Sequence, residues 1–424
     1  MDLTTLTHTE LSDRLEELRG EHARLKERGL RLDLTRGKPS AEQLDLAQPL
    51  LALPGGNDHT AQDGTDCRNY GGLKGLAELR STFAGLLQVP VEQLVTLGNS
   101  SLELMYESVV DAVLFGLPGA PGPWEREGRT AMLCPVPGYD RHFAVCEKLG
   151  IDMIPVPMTE SGPDMDEVER LVADERVKGI WCVPKYSNPT GTTYAPETVR
   201  RLAAMETAAP DFRVFWDNAY AVHQLQGDRE PVADILGLCE EYGHADRVFV
   251  FGSTSKITGA GSGVAFFGSS PANVDWLLGH LSKRTIGPDK VNQLRHARFL
   301  PDAEAVHAHM ERHAELLRPK FELVDAVLEK RLGDTGIATW TRPQGGYFVS
   351  LDVLDGCASR VVQLAKDAGV ALTPAGATFP YGKDPRDRNI RIAPSYPRLE
   401  ELGDALEGLA LCAELAAVEK LLEG

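Results

Sequence analysis

No stretch of the sequence approaches the about 20 consecutive apolar residues that a bilayer-spanning helix needs, and its first residues, MDLTTLTHTELSDRLEEL, lack the basic start and apolar block of an export signal. A cytoplasmic location is therefore expected, and a membrane location is not. Lys and Arg nowhere cluster densely enough to track a phosphate backbone, and 44 basic against 62 acidic residues give a net charge of −18. Nucleic acid is thus not an expected partner, and the acidity argues mainly for solubility. The seven cysteines (Cys67, Cys134, Cys146, Cys182, Cys239, Cys357, Cys412) form no CxxC pair. An odd, scattered set suits reduced thiols better than a disulfide framework or a zinc site, so no metal is expected. Internal repeats and low-complexity linkers are missing too. What remains is an ordinary globular composition, 42% hydrophobic and 25% charged over 424 residues, enough for a large core and more than one lobe.

Thr7 and Glu10 have capping-box spacing, and Leu11, Leu15, Leu18 and Leu25 recur at helical intervals, so the chain is expected to open with an amphipathic helix. The segment from Leu73 to Leu87 reads as helix, and another begins just after Gly98 in GNSSLELMYESVVDAVLFG. Short β-rich runs (TAMLCPVP, IDMIPVPM, GIWCVP, FRVFWD, RVFVFGS, GVAFFG) then alternate with helical stretches such as PETVRRLAAMETA. This alternation predicts an α/β fold, a mostly parallel sheet covered by helices on both faces. From about residue 300 a long charged helix, AEAVHAHMERHAELLRPKFELVDAVLEKRL, is followed by short strands around GYFVSLDV and NIRIAP and a helix from Leu399. That reads as a second, smaller α+β lobe packed against the first and joined by the N-terminal helix.

Several predicted strands end in polar residues, and ligands of open α/β sheets gather beyond the carboxyl ends of strands. FRVFWD ends on Asp217 with Tyr220 following, GIWCVPKYS leads to Asn188, RVFVFGS leads to Ser253 and Lys256, and TAMLCPVPG leads to Tyr139. Lys256 follows an apolar strand, where desolvation lowers an amine's pKa and favours the neutral nucleophile that a Schiff base requires. Standing alone, it is also what a solvated turn lysine looks like. Ser253 and Ser255 place hydroxyls beside it, and Gly98, Ser100 and Ser101 precede a helix whose free N–H groups can hold a phosphate, or simply cap it. Asp217 is the counter-ion that a protonated pyridine nitrogen needs to act as an electron sink. Asn188 and Tyr220 are donors for a phenolic oxygen, and Tyr139 is an aromatic suited to stacking. Each of these four, met singly, also fits a turn or core residue.

The ordered set GNSS, PGYD, SNPTG, DNAY, STSK and IRIAPS resembles the fold-type I, aspartate aminotransferase-like family of pyridoxal 5'-phosphate enzymes, and the likeness covers nearly the whole chain. The 39-residue step from Asp217 to Lys256 also suits that family. The resemblance implies a large cofactor domain over residues 46–298, a small domain from residues 1–45 and 299–424, and a homodimer with shared active sites. It makes Lys256 the Schiff-base lysine, Asp217 the pyridine partner, Asn188 and Tyr220 the ring-oxygen partners and Tyr139 the stacking aromatic. Ser100, Ser101, Ser253 and Ser255 become phosphate-site residues, and Tyr70 in NYGGLKG matches the tyrosine that reaches a phosphate in the neighbouring subunit. Arg391 matches the clamp for the substrate's α-carboxylate, a task suited to a planar bidentate donor, and Gly37 in TRGKP the glycine that closes over it. One departure stands out. Where the family carries a phosphate-binding arginine after the lysine, KITGAGSGVAFF has Gly263, so another cation or backbone amides must serve. His142 and His223 are read as supporting groups.

These parts imply a ping-pong aminotransferase in which Lys256 moves the α-proton as general base and acid. TRGKPS, DCRNYGGLKG and STSKITGAG resemble bacterial aspartate aminotransferases close to the aminotransferase domains of MocR-type regulators, which points to L-aspartate and 2-oxoglutarate as substrates. A distal carboxylate needs its own cation, with Arg36, Lys38, Arg284 and Lys290 as candidates. Two alternatives share the motifs: a β-eliminating lyase on the same fold, and a non-enzymatic MocR-like sensor of cofactor or amino acid. The sensor reading expects a helix-turn-helix domain, for which the motifs begin too early in this sequence.

Overall fold

The computed structural model of the protein describes residues 2–227, 229 and 231–423. Thirteen strands lie among them. β1 (Leu32–Asp33), β2 (Leu94–Thr96), β3 (Ala131–Val136), β4 (Asp152–Thr159), β5 (Gly162–Pro163), β6 (Val177–Cys182) and β7 (Arg213–Asp217) come first. β8 (Val248–Ser253), β9 (Ala265–Gly268), β10 (Ala338–Trp340), β11 (Val349–Val353), β12 (Val370–Ala371) and β13 (Asn389–Ile392) follow. Eight of them form the main sheet in the order β2-β9-β8-β7-β6-β3-β4-β5. β8, β7, β6, β3 and β4 run parallel, whereas β9 is antiparallel to both β8 and β2, and β5 to β4. The expected α/β sheet is thus present.

β6 and β7 are buried along their whole length, and β8 for all but its last residue. Near-continuous apolar runs such as RVFWD suit strands covered on both faces. The helices that cover them carry apolar stripes into two clusters. One holds Leu79, Phe83, Val199 and Leu202, and the other Leu104, Val109, Phe143 and Leu277. A third cluster joins Leu11, Leu18 and Leu25 of the His8–Glu27 helix to Leu317, Phe321, Leu351, Leu406 and Leu409. There β10, β11 and β13 form an antiparallel sheet, and the first helix packs on the Leu399–Glu423 helix. The Ala303–Leu332 helix links the cores, giving Val306 and Met310 to one and Ala314, Leu317 and Phe321 to another.

Two helix boundaries differ from the sequence expectation. The helix expected from Leu73 starts at Ala77, because Gly75 sits at φ +76° with its Cα against the Thr96 carbonyl and no helix can pass through it. The helix expected over PETVRRLAAMETA ends at Ala204, where Met205 turns extended. The Thr7 capping box forms as expected, with Thr7 Oγ1 accepting from the Glu10 amide and Glu10 Oε2 from the Thr7 amide. All seven cysteines are buried free thiols.

Candidate active site

The carboxyl ends of β7 and β8 meet a cleft lined by Gly37, Ser101, Tyr139, Asn188, Asp217, Tyr220, Lys256 and Phe348, among others. Its empty space, counting the mouth open to solvent, is about 460 Å³. Alternation along β7 sends Asp217 to the same sheet face as Phe215, against which Trp181 of β6 packs at 4.6 Å. His142, in the first turn of the Asp140–Leu149 helix, stacks on Trp181 at 4.5 Å with an interplanar angle of 10°. This sandwich fixes the imidazole so that its Nε2 lies 3.1 Å from Asp217 Oδ2. Asp217 Oδ1 is buried and has no hydrogen-bond partner among the described residues. A buried carboxylate oxygen left open toward a cleft costs stability unless a ligand supplies a donor.

Lys256 lies three residues beyond the end of β8, partly buried, with its Nζ 5.1 Å from the centre of the Tyr220 ring. Burial lowers the pKa of its amine, and the Asp217 charge opposes that in part. The Tyr139 and Tyr220 hydroxyls are pushed well up, by burial first and then by nearby negative charge including Asp217, so both are neutral donors near pH 7.

The backbone of the lysine turn is held from outside. The Lys256 carbonyl accepts from His223 Nε2 at 3.3 Å and from the Tyr347 hydroxyl at 3.4 Å. His309 Nε2 lies 2.8 Å from the Ile257 carbonyl and 3.1 Å from His313 Nε2. Gln43 ties these together. Its Oε1 accepts from the Ser40 amide, which aims its Nε2 at the Tyr347 hydroxyl (2.9 Å) and at His313 Nδ1 (3.0 Å). Burial holds His223 well below its ordinary pKa and His313 down at about 3, so both are neutral. His309 and His313 stand one turn apart on the Ala303–Leu332 helix, but the sequence offered no signal that Gln43, 270 and 304 residues before His313 and Tyr347, joins them.

Arg391, on β13, is buried beside the cleft. Its NH1 donates to Asp140 Oδ1 at 2.9 Å and to Asn188 Oδ1 at 3.4 Å, while NH2 meets Thr373 Oγ1 at 3.5 Å. The guanidinium lies 5.0 Å from the Phe348 ring centre. Gly37 packs against the other edge of that ring, where an added Cβ would fall 2.0 Å from Phe348 Cζ. Gly37→Ala is therefore expected to push Phe348 toward Arg391 and to raise KM for amino acid and 2-oxo acid about tenfold, the scale of an overpacking strain. Steady-state kinetics against both substrates check this, with kcat expected to change less than KM.

The remaining sequence candidates divide. Ser100 does not line the cleft, since its hydroxyl accepts from the Glu103 amide and caps the Ser101–Phe115 helix. Ser101 does line it. Ser253 Oγ accepts from the Ser255 amide, and Ser255 Oγ donates to the Asn99 carbonyl, joining the lysine turn to that helix start. A Cβ on Gly263 would sit 3.1–3.2 Å from Thr254 Oγ1, the Gly259 carbonyl and the Ser255 amide, so a side chain there would need this tight turn to give by a few tenths of an ångström. Asn292 Nδ2 holds this turn by donating to the Ser262 and Gly263 carbonyls, at 3.0 Å each. Tyr70 is 81% exposed and does not line its own chain's cleft. The four cation candidates are engaged elsewhere. Arg36 pairs with Asp33, Lys38 lies over the Tyr396 ring, Arg284 pairs with Glu107, and Lys290 donates to the Asn69 and Gly71 carbonyls. Lys290 therefore anchors the loop that carries Tyr70. Among the described residues, no cluster of His, Cys, Asp and Glu could hold a metal ion, and no helix is long and apolar enough to cross a membrane.

Comparison with known proteins bears on this geometry. The family described as aspartate amino-transferase matches residues 6–424. An aspartate aminotransferase of Corynebacterium glutamicum is 54% identical over 404 residues, covering 95% of this chain and 94% of that protein. A crystal structure of an aspartate transaminase from the same species superposes with a TM-score of 0.98 at 52% identity, covering 99% of both chains. A 2-aminoadipate transaminase of Thermus thermophilus is 26% identical over 352 residues, 80% of this chain and 82% of that protein.

Proposed function

The chain belongs to the aspartate aminotransferase family and is an aminotransferase, and from that premise we propose that it moves the amino group of L-aspartate to 2-oxoglutarate through Lys256. The observation that carries the reading is the buried Asp217 carboxylate, with one oxygen on His142 and the other without a hydrogen-bond partner among the described residues, in the same cleft as Lys256. Aminotransferases of this fold use pyridoxal 5'-phosphate, and that donor set fits it. When bound, the cofactor supplies an aldehyde that condenses with amines and a ring that takes up electrons from the amino acid's α-carbon.

Lys256 Nζ would be the amine that holds the cofactor covalently. Its lowered pKa favours the neutral form, a nucleophile toward a carbonyl and a base that would take the proton from the α-carbon and return it as acid. Asp217 would carry the charge opposite the pyridine nitrogen. Asn188 and Tyr220 would donate to the ring oxygen, and Tyr139 would cover the ring face. Ser101, Ser253 and Ser255, with the free amides at the start of the Ser101–Phe115 helix, would hold the phosphate where this chain has Gly263 in place of the family's arginine. Ser100 contributes as the cap of that helix. Arg391 and Asn188 would bind the substrate's α-carboxylate, with Gly37 and Phe348 closing over it. We also place the large domain at 46–298 and the small domain at 1–45 and 299–424, a division supported by the cluster that joins Leu11, Leu18 and Leu25 to Leu406 and Leu409. A homodimer is proposed, in which the exposed Tyr70 on its Lys290-anchored loop reaches the neighbouring cleft. A cytoplasmic location is part of this reading.

The test is the visible spectrum of the cofactor-loaded protein. Adding L-aspartate is expected to abolish the band of the lysine-bound cofactor, and 2-oxoglutarate to restore it, as two alternating half-reactions require. A band that L-aspartate leaves unchanged overturns the substrate assignment, and released ammonia turns the reading to the lyase, which the two C. glutamicum relatives do not favour.

A further inference from the structure

Arg391 is not held by neutral groups alone. Its NH1 sits on Asp140 Oδ1 at 2.9 Å, while among the described residues its buried Nε has no hydrogen-bond partner and its NH2 has a 3.5 Å approach to Thr373. Asp140 is the first residue of the Asp140–Leu149 helix, directly after Tyr139 of the cleft. The chain thus places its own carboxylate where an incoming carboxylate meets the guanidinium. We propose that Asp140 sets the affinity of the carboxylate site in the amino-transfer reaction: it occupies Arg391 NH1 in the ligand-free enzyme and yields it to the substrate's α-carboxylate. The inference rests on reading Arg391 as the carboxylate site.

Three features permit the exchange. The Asp140 side chain is 32% exposed and that of Arg391 9%, so the carboxylate can swing toward water while the arginine stays. Phe348 against the guanidinium face, with Asn188 and Thr373 at its edge, keeps Arg391 in position during the swap. A displaced Asp140 also has a second partner at hand, since Arg141 Nε is already 4.0 Å from its Oδ2, and a carboxylate in a first helical turn is favoured by the helix dipole. If Asp140 stayed on NH1, substrate binding would bring two carboxylates onto one guanidinium in a cleft of reduced dielectric.

The functional consequence is a threshold. A carboxylate that offers Arg391 no more than Asp140 already does gains little by displacing it. An amino acid or 2-oxo acid anchored elsewhere in the cleft wins the contest. Asp140 therefore weakens every carboxylate that binds Arg391 by the energy of the pair that must open, so that only ligands with further contacts in the cleft stay bound at working concentrations.

The experiment titrates the cofactor-loaded wild type, Asp140→Asn, Asp140→Glu and Arg391→Lys with succinate, a dicarboxylate without an amino group, by calorimetry. Asp140→Asn is expected to tighten succinate about five- to tenfold, the range for a partly exposed, charge-assisted pair. KM for L-aspartate is expected to fall by the larger factor and kcat to change less, because removing the competing carboxylate favours bound substrate and transition state alike. Asp140→Glu, which restores the charge, is expected to reverse at least half of the tightening. Succinate binding that is equal or weaker in Asp140→Asn overturns the proposal, and Asp140→Ser repeats the loss of charge should the amide disturb the fold. Arg391→Lys separates the two readings. If it binds succinate as wild type does, the carboxylate assignment of Arg391 fails. If it binds weakly and Asp140→Asn is not tighter, the exchange alone fails.

Discussion

Lys256→Ala is expected to lower multiple-turnover amino transfer by at least about 10⁴-fold, because it removes both the covalent anchor and the proton-transfer group, the latter alone contributing up to about 10⁴. The fold should survive. Lys256 is only partly buried, and the hydrogen bonds at its position are accepted by its backbone carbonyl, from His223 and Tyr347, which alanine keeps. Lys256→Arg separates charge from chemistry, since it preserves a cation above Tyr220 but cannot deprotonate. Both variants should give kcat near background and lack the visible band of the lysine-bound cofactor. A variant that retains full turnover with added cofactor removes Lys256 from the mechanism.

The second large effect belongs to Asp217. Asp217→Asn keeps the size of the side chain and can still meet His142, yet it discards the charge that a protonated ring nitrogen needs, so kcat should fall about 10³-fold, the scale for losing one preorganised electrostatic interaction. Asp217→Ala is expected to do at least as much damage to turnover and more to stability. It strips His142 of its acceptor while the imidazole remains locked against Trp181. Measuring kcat beside thermal denaturation distinguishes the variants: the asparagine protein should melt close to the wild type, and the alanine protein below it.

Much of this site was legible from the linear chain because each residue follows a strand that announces itself. Asp217 and Lys256 stand at or just past the ends of apolar runs, and the structure carries both to one cleft. The first helix was equally plain, since a capping box is a local pattern. The supporting shell was legible only in part, since His142 and His223 stand out beside the motifs as supporting groups but their partners do not. His142 supports Asp217 only because the first turn of one helix meets two neighbouring strands, and Gln43 acts only through partners 270 and 304 residues away. Asp140 looked like part of a motif, and nothing in PGYD says that it lies on Arg391, 251 residues on. The helix expected from Leu73 began too early because local propensity carries no information about the Thr96 carbonyl pressed against Gly75.

The Gln43 junction also sets an order of assembly during synthesis. Gln43 leaves the ribosome 270 residues before His313 and 304 before Tyr347. At roughly 5–20 residues per second, its amide waits about 15 s to a minute for the tyrosine hydroxyl. Once Gly268 has emerged the main-sheet strands from β2 to β9 are all available to pair, while the Lys256 carbonyl still lacks its Tyr347 donor. A nascent chain halted before Tyr347 thus carries a lysine whose turn is not yet pinned from that side, and the cleft reaches its finished shape only as the last third of the polypeptide folds back over the first.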